Sequence, residues 1–513
     1  MEFDCHLAEF LGWSDDRSCH APAVEIEENY MVVLNGTGTI ADVVTLADGR
    51  EQVSISADVL AGVDQAYQRA ADLSTRFPTY GRTTGVGANR TTQVLADDKD
   101  YGMRLLRSHA VDAGDPLADR TVRAMLAVRL IQLCAPGAGL DPKILSALVR
   151  MLNDDALPEV LQYASIGTGD LAALAGTALT LIGERPAKTP LTPMQPWGAD
   201  SALPFMSSSA LTVGRTCLAL DELQRLERAS SVIYMLSFLA LDGNPSTFSV
   251  TAARAAAAPH VDTVAGRLRS LSMGDGRDDR EPRRIQDPYG LRVYPVAHAS
   301  VVNSLDSLGQ QLERTLNAAQ ENPLFDIEGD AVVHHGAFYQ ASLSLELDGA
   351  TLALALTAPI THSRIRMLND PETNGQNAFL ATSEDGSSGL MMVEYVAAGA
   401  IAEIRAAAQP ASVGTLVLSR GAEEDATFAS QGTQQLERSV AAYRVLLACE
   451  LVGALRLLRQ RGLHERFTGV LGEALTLASV LPWNDQDRDL RGDLAAAEEL
   501  LDHLGRLVTD SGD

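Results

Sequence analysis

A phenol, a guanidinium, an imidazole and a run of carboxylates stand in this chain in settings suited to acid–base work on a small polar substrate. The phenol is Tyr80, at the head of Tyr80-Gly81-Arg82-Thr83-Thr84-Gly85-Val86-Gly87. Three glycines at short spacing mark a tight turn with backbone angles that side chains disfavour. The spacing is not that of a phosphate-cradling loop, and no Lys-Ser or Lys-Thr pair follows it. A phenol of pKa ~10 serves as a base near neutrality only where hydrogen bonds or positive potential favour its ionised form. The guanidinium is Arg292, closing Gln286-Asp287-Pro288-Tyr289-Gly290-Leu291-Arg292. Its planar fork suits a carboxylate, and a second phenol, Tyr289, stands three residues before it. The imidazole is His109, preceded by Ser108, and the carboxylates are Glu423, Glu424 and Asp425. Read singly, each has a plainer structural alternative: a shaped turn, a satisfied core histidine, a solvated acidic face.

In order along the chain, these stretches resemble the aromatic amino acid ammonia-lyase and aminomutase family, best represented by histidine ammonia-lyase. Residues 164–174, Ala-Ser-Ile-Gly-Thr-Gly-Asp-Leu-Ala-Ala-Leu, are similar to the family's Gly-Ser-Val-Gly-Ala-Ser-Gly-Asp-Leu-Ala-Pro-Leu. In the family the Ala-Ser-Gly of that loop cyclises into a methylidene-imidazolone electrophile. The stretch from Tyr80 is similar to Tyr-Gly-Val-Thr-Thr-Gly-Phe-Gly, and Ser108-His109-Ala110 to Ser-His-Ala. Residues 286–292 are similar to Gln-Asp-Pro-Tyr-Ser-Leu-Arg, Glu321-Asn322-Pro323-Leu324 to Asp-Asn-Pro-Leu, and Glu423-Glu424-Asp425 to Gln-Glu-Asp. The resemblance implies that Tyr80 is the catalytic base, with Tyr289 assisting as an acid/base or positioning group. It implies that Arg292 anchors a carboxylate, and that Ser108, His109 and Glu424 face a polar or imidazole-like ring. Phe338, in Gly336-Ala337-Phe338-Tyr339-Gln340, is placed by it in the substrate pocket. It implies a homotetramer whose active sites draw on three subunits.

The resemblance breaks at the electrophile. The loop is one residue short, and the triad that would cyclise is Gly167-Thr168-Gly169. Threonine would give an ethylidene, with a methyl on the carbon that an amine must attack. Cyclisation also depends on a compressed turn, which the missing residue changes. Ser207 stands where the family's asparagine helps to hold the oxygen of the prosthetic group, and donors of that kind are worth ~3 kcal/mol. Asp112 replaces a usual glycine, and Tyr339 a histidine. The expectation is a lyase-type enzyme acting on an amino-acid-like substrate by tyrosine acid–base chemistry, with the methylidene-imidazolone altered or absent. One alternative is an elimination, cyclisation or conjugate addition on an already activated substrate, independent of that group. The other is a non-catalytic scaffold.

The elements that must position these residues are mostly helical. Residues 1–30 read as a polar extension. Between Met31 and Ser56, Met-Val-Val-Leu, Ala-Asp-Val-Val-Thr-Leu and Gln-Val-Ser-Ile-Ser suggest three short strands. From Ser56, an N-cap-like residue, apolar positions recur at helical spacing. Long Ala/Leu-rich windows follow at 208–241, 296–320, 339–368, 387–408 and 432–461. Leu343 to Thr357 is apolar on more than one face, which requires burial in a bundle or a subunit interface. Residues 265–286 are dense in Arg, Asp and Gly and read as a surface loop. The expected fold is mostly α: a central bundle of long helices with a small N-terminal α/β part. The expected divisions are 31–205, carrying active-site loops, and a helical bundle over 206–513.

A net charge of −26, from 41 basic and 67 acidic residues, repels phosphate backbones and anionic lipid. Nucleic acid and membranes are therefore unsuited as partners, and a small molecule is the expected ligand. The five cysteines, Cys5, Cys19, Cys134, Cys217 and Cys449, are scattered without metal spacing. They imply reduced thiols and no metal or nucleotide cofactor. No signal segment opens the chain, and no uninterrupted apolar run reaches spanning length, which suggests a soluble cytoplasmic protein.

Overall fold

The computed structural model describes residues 31–273, 284–382 and 386–508. The expected extension at 1–30 lies outside the described residues, as do residues 274–283 of the expected charged loop. Strand β1 (Met31–Leu34) pairs in parallel with β2 (Gln52–Ile55), Met31 opposite Gln52. Between them the chain forms helix α1 (Ile40–Ala47), not the third strand expected there. Half of that segment is β-branched, but Thr39 and Asp42 cap it reciprocally, and Val43, Leu46 and Ala47 share one buried face. The capping box and the 3.6-residue burial period override strand propensity.

Next come α2 (Ala57–Arg76), α3 (Tyr101–His109), β3 (Ala113–Pro116), α4 (Asp119–Leu133) and α5 (Lys143–Asn153). Strand β4 (Leu161–Tyr163) pairs antiparallel with β3 and leads to α6 (Leu171–Leu181) and α7 (Ala199–Met206). Ser56 caps α2 as its position suggested, its hydroxyl accepting from the Val59 N–H. The remaining helices are α8 (Ala210–Ala240), α9 (Val250–Ala255), α10 (Val261–Ser272), α11 (Tyr289–Arg292) and α12 (Tyr294–Leu316). A hairpin of β5 (Leu324–Asp326) and β6 (Ala331–Val333) precedes α13 (Ala341–Asn369), α14 (Pro371–Asn374), α15 (Met391–Ala407), α16 (Ala429–Gln460), α17 (Gly469–Leu477) and α18 (Arg491–Arg506). Residues 265–272 of the expected loop are the second half of α10. Its Arg267 does not mark solvent, because it is buried in an ion pair with Glu227.

The fold is mostly α, with α8 and α16 (31 and 32 residues) at its centre and α13 packed along α16. Helices α4, α12, α15 and α18 close around them. One apolar core runs from Leu34 to Val508. At its middle, Arg364 of α13 meets Glu450 of α16 at 2.6 Å, both side chains fully buried. By length and composition α13 could cross a bilayer, with mean hydropathy 1.3. It carries Asp348 and Arg364, however, and lies against α12, α15 and α16 as a core helix.

Candidate active site

The Gly167-Thr168-Gly169 turn is built at the N-termini of four helices. Asp170 starts α6, its backbone N–H donating to Ser208 O (2.7 Å). Its buried carboxylate accepts from the Thr212 N–H and hydroxyl in the first turn of α8. The entry to α16 covers the turn, with Phe428 N–H donating to Ile166 O and the Thr427 hydroxyl to Gly167 O (3.0 Å). The first residues of α13 complete the ring: Ser344 Oγ donates to Thr427 O, and the Gln340 amide to Ser209 Oγ. Gly167 has φ +102°, and a Cβ there would lie 2.3 Å from the Ala429 nitrogen. Only glycine fits. Burial raises the Asp170 pKa against the hydrogen bonds that favour its carboxylate. Helix N-termini each carry up to about half a positive charge, so the turn is electropositive inside an acidic protein.

Ser207 is placed by a buried clamp. Arg129 of α4 donates to the carbonyls of Pro204 and Phe205 and pairs with Glu321 at 2.8 Å. Asn322, next to that glutamate, donates its backbone N–H toward Ser207 Oγ at 3.4 Å. The Ser207 oxygen is therefore engaged as an acceptor. His335 donates through Nε2 to Glu321 O and accepts at Nδ1 from Ala337 N–H, so it is the neutral Nε2–H form. It fixes the approach to Phe338, whose ring centroid lies 6.3 Å from the imidazole.

Tyr80 is joined to this cluster from two sides. Its backbone N–H donates to His334 Nε2 (3.2 Å), and its phenol oxygen accepts from Gly87 N–H (2.7 Å). Gly81 and Gly87 take positive φ, +73° and +54°, which lets the turn fold the phenol back onto its own backbone. Arg82 pins the turn beneath. Burial pushes its pKa down to about 10, its guanidinium donates to Gly139 O, and it lies 4.4 Å from the Phe325 ring centroid. Ala88 N–H donates to Ser419 Oγ, which docks the Tyr80 turn on the 418–425 loop. Burial raises the Tyr80 pKa, with Glu423 adding to the rise, while Gly87 N–H and Arg90 oppose it. Glu423 is thus the acid that influences the phenol. Glu424 is exposed and makes no hydrogen bond or ion pair among the described residues. Tyr339 reaches Asp425.

Ser108 and His109 end α3, about 12 Å along the helix from Tyr101, which stands beside Tyr80. His109 Nδ1 donates to Leu105 O at 2.9 Å. Asp112 is a structural pin: its carboxylate accepts from Leu161 N–H and faces Arg185 at 3.8 Å.

Tyr289 and Arg292 are elsewhere in the chain. Gly290 packs on Ser363 and Arg364 near the end of α13, whereas the loop cluster meets α13 at Ser344. Twenty residues of helix separate these contacts, about 30 Å. Arg292 lies with its guanidinium 5.0 Å from the Tyr289 ring centroid, and its Nε is buried without a partner. A single copy therefore brings together Tyr80, the 167–169 turn, Ser207 and Phe338, but leaves out Tyr289 and Arg292.

The methylidene-imidazolone implied by the resemblance would be built from Gly167, Thr168 and Gly169, with Ser207 at the place of the family's asparagine. Ser165 Oγ accepts from Gly167 N–H and contacts Gly169 O at 3.4 Å, tying the two ends of the triad as an open turn. Gly167 O accepts from the Thr427 hydroxyl, and Ser207 Oγ accepts from Asn322 N–H and keeps its own proton to donate. No group of three or more His, Cys, Asp or Glu that could hold a metal occurs among the described residues. Sequence reasoning missed Arg129, His334, His335 and Thr427, and singled out Glu424 rather than Glu423 within the acidic triplet. The His334-His335 pair was a visible signal; the others act through backbone groups and leave no local pattern.

A family model for aromatic amino acid lyases matches residues 39–478. The chain is 29% identical over 493 residues to a histidine ammonia-lyase of Treponema denticola, covering 92% of this chain and 96% of that protein. It is 30% identical over 456 residues to the histidine ammonia-lyase of Geobacillus thermodenitrificans, covering 85% and 90%. Its fold is similar to that of a tyrosine aminomutase from Streptomyces globisporus, with TM-score 0.87, 23% identity and coverage of 93% and 98%. It is also similar to an ergothioneine-degrading ergothionase from Treponema denticola, with TM-score 0.85, 22% identity and coverage of 94% and 100%.

Proposed function

The chain belongs to the aromatic amino acid lyase family, a family of carbon–nitrogen lyases, and on that premise we propose that it eliminates an amine from an imidazole-bearing, amino-acid-like substrate without a methylidene-imidazolone. The observation that carries this reading is Thr168 in a loop one residue shorter than the family's, with Ser207 at the place of its asparagine, beside an intact Tyr80 turn. The ionised Tyr80 oxygen takes a proton from the carbon next to the one bearing nitrogen. The C–H electron pair becomes the new double bond, the C–N bond breaks, and the amine leaves with that pair. Such a step needs a substrate whose nitrogen is already a competent leaving group, with acid–base groups and positioning supplied by the protein. Ser108, His109 and Glu424 face the ring in this reading, and Arg292 holds the carboxylate.

Because Arg292 and Tyr289 lie about 30 Å along α13 from the turn, they must come from another copy. Leu345, Leu352 and Leu356 of α13 are 62%, 48% and 60% exposed, at spacings of seven and four. They form one apolar stripe of the kind that subunit packing covers. Met392 and Tyr395 of α15 are likewise exposed. A cytoplasmic homotetramer with composite sites accounts for both features.

Two measurements test this reading. The mass of the peptide containing Gly167-Thr168-Gly169 should equal that of its sequence; a peptide two waters lighter would overturn the open-turn reading. Histidine and ergothioneine are the first substrates to compare, since ammonia leaves from one and a tertiary amine from the other. Elimination is followed by the ultraviolet absorbance of the conjugated product. Tyr80→Phe and Arg292→Gln chains, each inactive alone, should regain activity when refolded together, and failure to do so would refute the composite site.

A further inference from the structure

A guanidinium with no ion pair among the described residues lies about 40 Å along α16 from the 167–169 turn. Arg456 is 8% exposed, and its Nη1 is buried with no partner. No hydrogen bond or ion pair among the described residues involves it. It faces a cavity of about 170 Å³ whose walls include Arg459, Gln460, Trp483, Asn484 and Asp485. Arg459 follows Arg456 by three residues, so both project from the same face of α16. The Arg459 guanidinium donates to the carbonyls of Pro482 and Ala478 and lies 4.4 Å from the Trp483 ring centroid, with no carboxylate against it.

Two of the nearby acids are committed elsewhere. Asp493 gives both oxygens to Arg488, at 2.6 Å each. Asp487 accepts from the Ser387 hydroxyl and the Ser388 and Gly389 N–H groups. Asp485 accepts only from the Gln460 amide, at 3.3 Å. Arginine keeps its proton under all ordinary conditions, so two positive charges share one small cavity whose wall offers one uncommitted carboxylate, that of Asp485. Buried charges are normally paired, and one left unpaired is strongly destabilising. Asp485 balances one of the two guanidinium charges at most, in a molecule whose net charge is −26.

We propose that this cavity binds a compact oxyanion, a phosphate or carboxylate group, held by the forks of Arg456 and Arg459 beside Trp483. The guanidinium plane matches either group bidentately, and the volume admits a small molecule without opening the bundle. The site lies apart from Tyr80 and the 167–169 turn, so it stands whatever the substrate of the lyase site proves to be.

The test is thermal unfolding of the full chain in chloride, phosphate and succinate at matched ionic strength. The wild type should show a saturable rise in Tm with phosphate or with succinate that chloride does not reproduce. The more effective anion identifies the group the site takes. Arg456→Met should be at least as stable as the wild type in chloride, since it removes an unpaired buried charge, and should lose the anion response. Arg459→Gln should weaken the response about tenfold, and it carries the test if Arg456→Met fails to fold. Arg438→Gln, at an exposed pair with Glu403, should respond like the wild type. No saturable rise with either anion, or an undiminished rise in Arg456→Met or Arg459→Gln, would overturn the proposal.

Discussion

Replacing Tyr80 by phenylalanine removes one oxygen and separates catalysis from folding. In the structure that oxygen accepts a single hydrogen bond, from Gly87 N–H at 2.7 Å. Deleting it leaves one amide without its acceptor, at a cost of about 1 kcal/mol. The ring stays in place, so the turn held by Arg82 and by the Ala88–Ser419 contact should persist. Catalysis should suffer far more. A positioned general base contributes roughly 10²–10⁴-fold, or about 3–5 kcal/mol of the barrier. The expected outcome is a fall of that size in kcat, a KM within about threefold because the carboxylate contact belongs to Arg292, and a Tm lowered by only a few degrees. Product absorbance gives the rates, and thermal unfolding gives the stability. A variant that keeps its oligomeric state and turns over within about tenfold of the wild type would refute the assignment of Tyr80 as base.

Three further outcomes follow from the same geometry. Gly167→Ala should undock the turn, since its Cβ would stand 2.3 Å from the Ala429 nitrogen at φ +102°, whereas Gly169→Ala meets nothing closer than 3.7 Å and should fold normally; Tm and activity of the pair decide this. Thr168→Ala should keep activity within about threefold, because a substrate with its own leaving group needs no electrophile from the loop, and a loss beyond about 100-fold would refute that. Stability should hold from near neutrality to about pH 8.5, above which the buried thiols of Cys134, Cys217 and Cys449 and then the buried phenols lower it, and it should fall on the acid side too. Burial pushes the His298 imidazole down to about 3, so its contribution is complete above the unfolded value of ~6.5 and drains away as pH falls, by about 1.4 kcal/mol per unit. Tyr234, Tyr294 and Tyr443 are raised by burial, so their contribution is complete below ~10 and is lost as pH rises and the unfolded phenols ionise, by about 4 kcal/mol per unit for the three. Urea unfolding across pH checks both limbs, and His298→Gln should flatten the acid one.

The long helices were legible because their apolar positions repeat over many turns: α8, α12, α13, α15 and α16 all lie close to the Ala/Leu-rich windows. Helix α1 was not, since an eight-residue segment that is half β-branched looks like a strand until its cap is recognised. The charged stretch from residue 265 misled because Arg267 is paired with Glu227 inside the core, and local composition does not reveal a partner forty residues away. Tyr80, the 167–169 turn and Ser207 are linked through His334-His335, Glu321-Asn322 and Ser208. The clamp of Arg129 on Glu321 was invisible, because its ligands are mostly carbonyls and its effect on Ser207 passes through Asn322. Asp112, a departure near the substrate by sequence, holds β4 instead.

Retaining the acid–base residues while the electrophilic loop changes is physically coherent, because what favours charge at this site does not come from the loop's own chemistry. The N-termini of α6, α8, α13 and α16 converge on the turn, each worth up to about half a unit of positive charge within its first turn. Buried Asp170 takes up part of that potential by capping Thr212. On the proposed reading, the remainder acts on whatever negative charge develops nearby, a phenolate or the electron pair released by proton removal. Helix poles are fixed by the fold and need no reorganisation during reaction. A chain that loses the electrophile therefore keeps the field that made proton abstraction feasible. The demand that remains, a nitrogen able to leave unaided, passes to the substrate.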